Sequence, residues 1–332
     1  MSASKHSEHS ISENPENQEN QQRPSRMRRL FSRITGEKPV AVLAELGPPP
    51  IAPAVVQPDP EPEPVVEEPP KISAYEPNGD LTEIQLGHNA VAARKEGVSA
   101  DVHPQDFIYH FCCTHPQLTP EAAANYYFSD GARSARKFVD LVSTFEDLNP
   151  RSMDLLEFAS GYGCVSRHLK KYPQINLTAC DIHEQAVGFV QDSLGVKTVL
   201  SKSTPEAFTL LQSYDLVFAL SFFSHMPKSS FGRWVRALYG CLKSPGYLLF
   251  TTHGQKSCSM QSITPDDIPA DGFWFRAASE QHDLDTAEYG TSITTPDFVI
   301  GEIYRQTGAR IVAYRQAGWW EHQDLYVLKR EA

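Results

Sequence analysis

The sequence predicts an α/β fold: a doubly wound, mostly parallel seven-stranded sheet with a C-terminal antiparallel hairpin, after a helical lead-in and a disordered N-terminal tail. Three observations predict it. An apolar run (Met153, Leu155, Leu156, Phe158) ends in a glycine turn at Gly161 and Gly163, and helix-spaced Val165, His168, Leu169 and Tyr172 follow. Such a strand–loop–helix is the first half of a βαβ unit. Strand-like and helix-like stretches then alternate, which implies a parallel sheet covered on both faces. Finally, the runs 310–316 and 324–329 are joined by a short aromatic loop with no room for a crossover helix, so they must pair antiparallel.

The elements follow in order. Residues 1–75 are polar and then proline-rich, which predicts a tail without a core. Within it, segment 23–34 places Met27, Leu30, Phe31 and Ile34 at helical spacing among five arginines, a basic amphipathic pattern suited to an anionic membrane surface or a protein partner. Residues 39–72 read as an extended proline and glutamate linker. Apolar residues return near 80, and helices are expected at 107–111, 122–128 and 135–145 within a lead-in spanning 80–150. The domain at 151–332 then begins with the strand from Met153. Strands follow at 177–182, 197–200, 214–220 and 247–252. Helices are expected at 184–194, weakly at 205–211, and strongly at 228–242, where Phe231, Trp234, Val235, Leu238, Tyr239 and Leu242 keep the helical period. Residues 254–293 break the rhythm and read as an insertion. A helix at 297–307 precedes the hairpin.

Composition bounds the function. The formal net charge of -11 and an isoelectric point near 5.5 argue against nucleic acid as the main partner. No apolar run is long enough to span a bilayer, and the polar start shows no secretory signal, so the expectation is a cytoplasmic protein, with a peripheral membrane contact through 23–34 to be tested. The six cysteines show no metal-type pairing and read as small buried residues in a reducing compartment. No metal site is expected.

The chemistry concentrates at strand ends. Glu157 stands at the end of the first strand, just before the glycine turn. A carboxylate there repels a pyrophosphate but attracts an ammonium or sulfonium group. Five parallel strands, a glycine loop after the first, an acid after the second and a terminal hairpin together resemble the class I S-adenosylmethionine-dependent methyltransferases over about 154–329. The family's acid-x-Gly-x-Gly-x-Gly stretch is matched by Glu157 to Gly163, with Ala159 in place of the first glycine. The resemblance implies S-adenosylmethionine as cofactor. It places Gly161 and Gly163 near the methionine portion and Glu157 on its ammonium, with the following helix N-terminus facing its carboxylate. Asp181 falls on the ribose hydroxyls, Ile182 against adenine, and Leu220 at the end of the fourth strand on the pocket wall. Ser201 stands where many relatives carry an acid near the adenine amine.

A narrower resemblance joins the chain to bacterial methyltransferases of sugar- and envelope-related context. It is carried by Tyr126-Tyr127-Phe128-Ser129-Asp130-Gly131, Ser224-His225, the Thr-Thr-His-Gly stretch ending at Gly254, and the Gly-Trp-x-x-His-Gln-Asp stretch ending at Asp324. It implies a hydroxyl of a saccharide or small molecule as acceptor. Removing a hydroxyl proton needs a base, and histidine titrates near neutrality. His225 is the first candidate and His253 the second. His322, Tyr127, Tyr289 and Trp319 are expected on the acceptor side, with the aromatic insertion as recognition element. Two alternatives stand beside this reading. A nicotinamide or flavin enzyme would need glycine or alanine at the third motif position, where Ser166 or Cys164 stands. A non-catalytic scaffold would keep the fold and dock through its tail.

Overall fold

The structure is a computed structural model that describes residues 80–145, 152–279, 281 and 283–332. The expectations for 1–75, including segment 23–34 and the 39–72 linker, lie outside the described residues. Among the described residues, no helix is long and apolar enough to cross a membrane.

Three helices lead in. In α1 (Glu83–Glu96), Thr82 and Gln85 form a capping box, and Gly97 ends the helix in the left-handed region at φ 64°. Asp106 caps α2 (Phe107–Thr114) by accepting from the Tyr109 N–H. Thr119 caps α3 (Pro120–Val142), with Pro120 in its first turn. The sequence suggests two helices in this last region, separated by Ser129-Asp130-Gly131; the structure has one. Gly131 explains the continuity: a Cβ there would collide with the Cys164 carbonyl and lie 2.9 Å from His168 Cδ2. Close packing against the glycine loop therefore offsets the weak helix propensity of these residues.

The sheet comprises β1 (Met153–Phe158), β2 (Ile175–Asp181), β3 (Lys197–Leu200), β4 (Tyr214–Ala219), β5 (Leu242–His253), β8 (Arg310–Trp319) and β9 (Gln323–Arg330), in the order β3-β2-β1-β4-β5-β9-β8. All pairs are parallel except β5 with β9 and β9 with β8. The reversed strand therefore inserts between β5 and β8 rather than forming the edge. Burial decides this: Leu325, Tyr326, Val327 and Leu328 are all buried, whereas β8 alternates with exposed residues, as an edge strand does. The helices are α4 (Ser166–Leu169), α5 (Glu184–Asp192), α6 (Lys228–Gly240) and α7 (Pro296–Thr307).

Alternate side chains of each strand feed opposite layers. Leu156, Phe158, Phe250 and Tyr326 pack with Phe223, Phe231 and Trp234 on one face. Leu155, Phe218, Leu249 and Val327 pack with Phe138 and Trp319 on the other. Several boundaries differ from the sequence reading. Residues 205–211 are not helical and are anchored by Phe208, which packs edge-on against Phe158 and tilted against Trp234. Helix α6 stops at Gly240, and Pro245 lies inside β5 where the pairing with β4 shifts register, a position that tolerates proline. The helix after the glycine loop is one turn long. In 254–293, the separate two-stranded ribbon of β6 (Phe273–Arg276) and β7 (Thr291–Thr294) follows two short 3₁₀ turns.

Candidate functional site

The strand order reverses between β1 and β4, and ligands of open α/β sheets bind outside the carboxyl ends at such a point. Register places Phe158 beside Cys180 and Ala219, so Glu157, Asp181 and Leu220 converge there. The loop after β1 is held in an unusual backbone state: Ala159, Gly161 and Gly163 have φ of 57°, 53° and 80°. Glycine is at home there, whereas alanine is strained. A Cβ on Gly163 would meet Leu194 Cδ1 at 2.6 Å, so the loop lies tight against the end of α5. A Cβ on Gly161 would meet nothing within 4 Å, so at that point the backbone borders open space.

Glu157 is 4% exposed and accepts from Ser166 Oγ at 2.6 Å. Burial pushes its carboxyl up to about 7; the Ser166 hydrogen bond opposes this, and the Asp181 charge adds to it. Asp181 Oδ2 accepts the Gly161 N–H at 2.8 Å, and Oδ1 accepts the His183 N–H at 3.0 Å. The next strand end is tied in by the Ser201 N–H, which donates to the Asp181 carbonyl at 2.7 Å. Ile182 and Leu220 are half-buried at the same edge.

The sequence missed how the lead-in holds this loop. Arg167 is buried; its Nε donates to the Gly163 carbonyl at 3.1 Å and its Nη1 to the carbonyls of Ser99 and Asp101. Tyr162 stacks on His103 at 4.6 Å. A lone arginine in a helical stretch gives no sequence signal of such a role. The family expectation of a helix dipole facing the ligand is weakened, because α4 spans only four residues.

The second half of the site lies over β4, β5 and β9. The three candidate histidines meet there: His225 and His253 ring centroids are 6.2 Å apart, and His253 and His322 are 5.7 Å apart. A closed hydrogen-bond cycle supports them. The Ser221 N–H donates to Thr251 Oγ1 at 2.8 Å, Thr251 Oγ1 to Gln323 Oε1 at 2.6 Å, and Gln323 Nε2 to Ser221 Oγ at 2.9 Å. Three motifs distant in sequence therefore serve one buried network. Gly254 belongs to it sterically, since a Cβ there would strike the Asp324 carboxylate.

His225 stacks on Tyr289 at 4.5 Å and 8°, and its Nδ1 lies 2.9 Å from the Gly290 carbonyl. A carbonyl only accepts, so Nδ1 carries a proton and donates it to Gly290. His253 differs. Burial, then the neighbouring His225 and His322, lower it to about 3, and its buried Nδ1 has no hydrogen-bond partner among the described residues. It is a neutral polar wall rather than a strong base. Burial also lowers His322, whose Nδ1 lies 3.1 Å from Ser257 Oγ.

Two expected acceptor-side residues are elsewhere. Tyr127 is 1% exposed and donates to Asp106 Oδ2 at 2.5 Å inside the lead-in. Trp319 is equally buried against Phe218, with its Nε1 3.4 Å from Ser134 Oγ. Both fill core volume, the usual fate of large aromatics. The neighbouring Trp320 instead stacks on His322. Among the described residues, no group of histidine, cysteine or carboxylate side chains is arranged to hold a metal.

Residues 156–248 match a family described as a methyltransferase domain. No curated protein matches the chain. Among solved structures, an S-adenosylmethionine-dependent methyltransferase from Clostridium acetobutylicum is 14% identical with a TM-score of 0.44, covering 60% of this chain and 92% of that one. The glycopeptide N-methyltransferase MtfA complexed with S-adenosyl-L-homocysteine is 15% identical at 0.45, covering 65% and 99%. An O-methyltransferase family protein from Burkholderia thailandensis is 16% identical at 0.43, covering 75% and 72%. The match to a methyltransferase domain runs from β1 into β5, on a sheet whose strand order and terminal hairpin are those expected of a class I methyltransferase fold.

Proposed function

We propose that the chain binds S-adenosylmethionine at the carboxyl ends of β1 and β2 and transfers its methyl group to a hydroxyl of a saccharide or other small molecule held over β4 and β5. One observation carries this reading: a buried acid and an open-faced glycine loop at one strand end stand beside a histidine cluster at the next. The donor supplies an electrophilic methyl on a sulfonium centre, and the residues present fit it. Glu157, raised by burial, gains a counter-charge when a cation arrives. Gly161 leaves room where a side chain would intrude. Asp181 offers a carboxylate at the position of the ribose hydroxyls. A pyrophosphate would instead face Glu157 at close range, which disfavours a dinucleotide.

On the acceptor side, His225 Nε2 takes the hydroxyl proton while Gly290 fixes the ring through Nδ1. Tyr289 covers the opposite ring face and limits its rotation. His253, neutral near physiological pH, orients the acceptor without competing for the proton. Desolvation by the surrounding aromatics keeps water from intercepting the methyl group.

Calorimetric titration with S-adenosylmethionine and S-adenosylhomocysteine tests the first half. Binding of both supports an enzyme; no heat from either favours the scaffold alternative. Comparing metabolite masses in cells with and without the protein, for species heavier by one methylene, identifies the acceptor. Methylation that survives both His225→Ala and His253→Ala removes the assignment of the base.

A further inference from the structure

His183 bridges the donor and acceptor halves of the site. Its Nδ1 lies 2.8 Å from Asp181 Oδ1, and its Nε2 lies 2.9 Å from Asp283 Oδ2. One imidazole thus spans the acid at the ribose position and a carboxylate in the insertion. Seven residues further on, the insertion closes on His225. Tyr289 stacks on that ring, the Gly290 N–H donates to the His225 carbonyl at 2.9 Å, and His225 Nδ1 returns a bond to the Gly290 carbonyl. Segment 283–290 is therefore pinned to the donor side at one end and to the base at the other.

The bonding at Asp181 shows what the bridge does. A carboxylate has about four acceptor positions. On Oδ1, two are taken by the His183 N–H and ring nitrogen; on Oδ2, one is taken by the Gly161 N–H. With Oδ1 clamped, the carboxylate cannot rotate, and its remaining capacity stays on Oδ2, beside the glycine loop. Burial opposes a charge on His183, but the two flanking carboxylates outweigh it and raise the ring to about 10. The bridge is then a cation between two acids, hydrogen-bonded to Asp181 and at ion-pair distance from Asp283.

We propose that His183 is a positioning residue: it fixes Asp181 for donor binding and, through Asp283, couples donor occupancy to the docking of segment 283–290 over His225. This rests on the methyl-donor reading above. Coupling of this kind is reciprocal, so a donor that needs Asp181 in place also tightens the segment. The base would be fully assembled when a donor is present.

The test uses the full chain, with S-adenosylhomocysteine titrated by calorimetry and amide exchange followed over 283–290 with and without it. In the wild type the ligand slows exchange in that segment. His183→Ala weakens binding by about tenfold and removes the exchange response, the size expected when a charged hydrogen bond to a binding carboxylate is lost. Asp283→Ala leaves the glycine loop, Glu157 and Asp181 intact and also removes the response. Combined with His183→Ala it adds no further loss, because both changes cut one bridge. Variants that bind like the wild type, a segment that still responds in both, or losses that simply add would each overturn the coupling. Should His183→Ala fail to fold, Asp283→Ala decides on the same two readouts. A wild type that takes up no S-adenosylhomocysteine overturns the donor reading and this inference together, whereas tight wild-type binding with unaffected variants overturns the coupling alone.

Discussion

Glu157→Gln should make the ligand-free protein more stable and the ligand-bound protein less so. The carboxyl of Glu157 is buried, and burial lifts it from an ordinary 4.5 to about 7. A raised carboxyl favours the protonated form in the folded state, so the folded chain holds this proton more tightly than the unfolded one. Stability from this group is therefore fully present below pH 4.5 and is lost as pH rises toward about 7. At 1.36 kcal/mol per pH unit, the interval is worth about 3 kcal/mol. Glutamine keeps an acceptor for Ser166 Oγ, which donates at 2.6 Å, and removes the charge. Urea unfolding at pH 4.5 and pH 8 should show little difference between wild type and variant in acid, and a variant more stable by about 3 kcal/mol at pH 8. S-adenosylhomocysteine, whose ammonium meets the charged acid in the binding mode proposed above, should stabilise the wild type strongly and the variant weakly. A variant that is less stable than the wild type at pH 8, or that binds the ligand equally well, would refute the reasoning.

Three further outcomes follow from the geometry. Ala159 sits at φ 57°, so Ala159→Gly should raise stability by about 0.5–1 kcal/mol in urea unfolding; a loss of stability would mean that the methyl group packs usefully. Gly131→Ala should cost about 1–3 kcal/mol despite the better helix former, since its Cβ meets the Cys164 carbonyl and His168; a neutral change would show that α3 can retreat from the loop. His253 is lowered to about 3, so the unfolded chain binds its proton first, and stability should fall as pH drops from 6.5 toward 3; His253→Phe should flatten that part of a pH–stability curve measured beside the wild type.

The sequence by itself determined the strands of the main sheet, the antiparallel pairing at the hairpin and the acids and glycines around the first loop. Those signals are local: hydrophobic period, glycine at turns and polar residues at strand ends need only a short window of chain. Leu325 to Leu328 read as a strand from sequence, but their place between β5 and β8 follows from burial on both faces. Only the tertiary structure separated Trp319, a core side chain, from Trp320, which reaches His322, although the two are adjacent in sequence. It alone joined Ser221, Thr251 and Gln323 into one cycle and set His183 between Asp181 and Asp283. Such contacts link residues far apart along the chain, and their geometry depends on sheet order and packing depth. Hydrophobic period carries neither quantity, so the positions of strands can be read from a sequence while the fate of each side chain at their ends cannot.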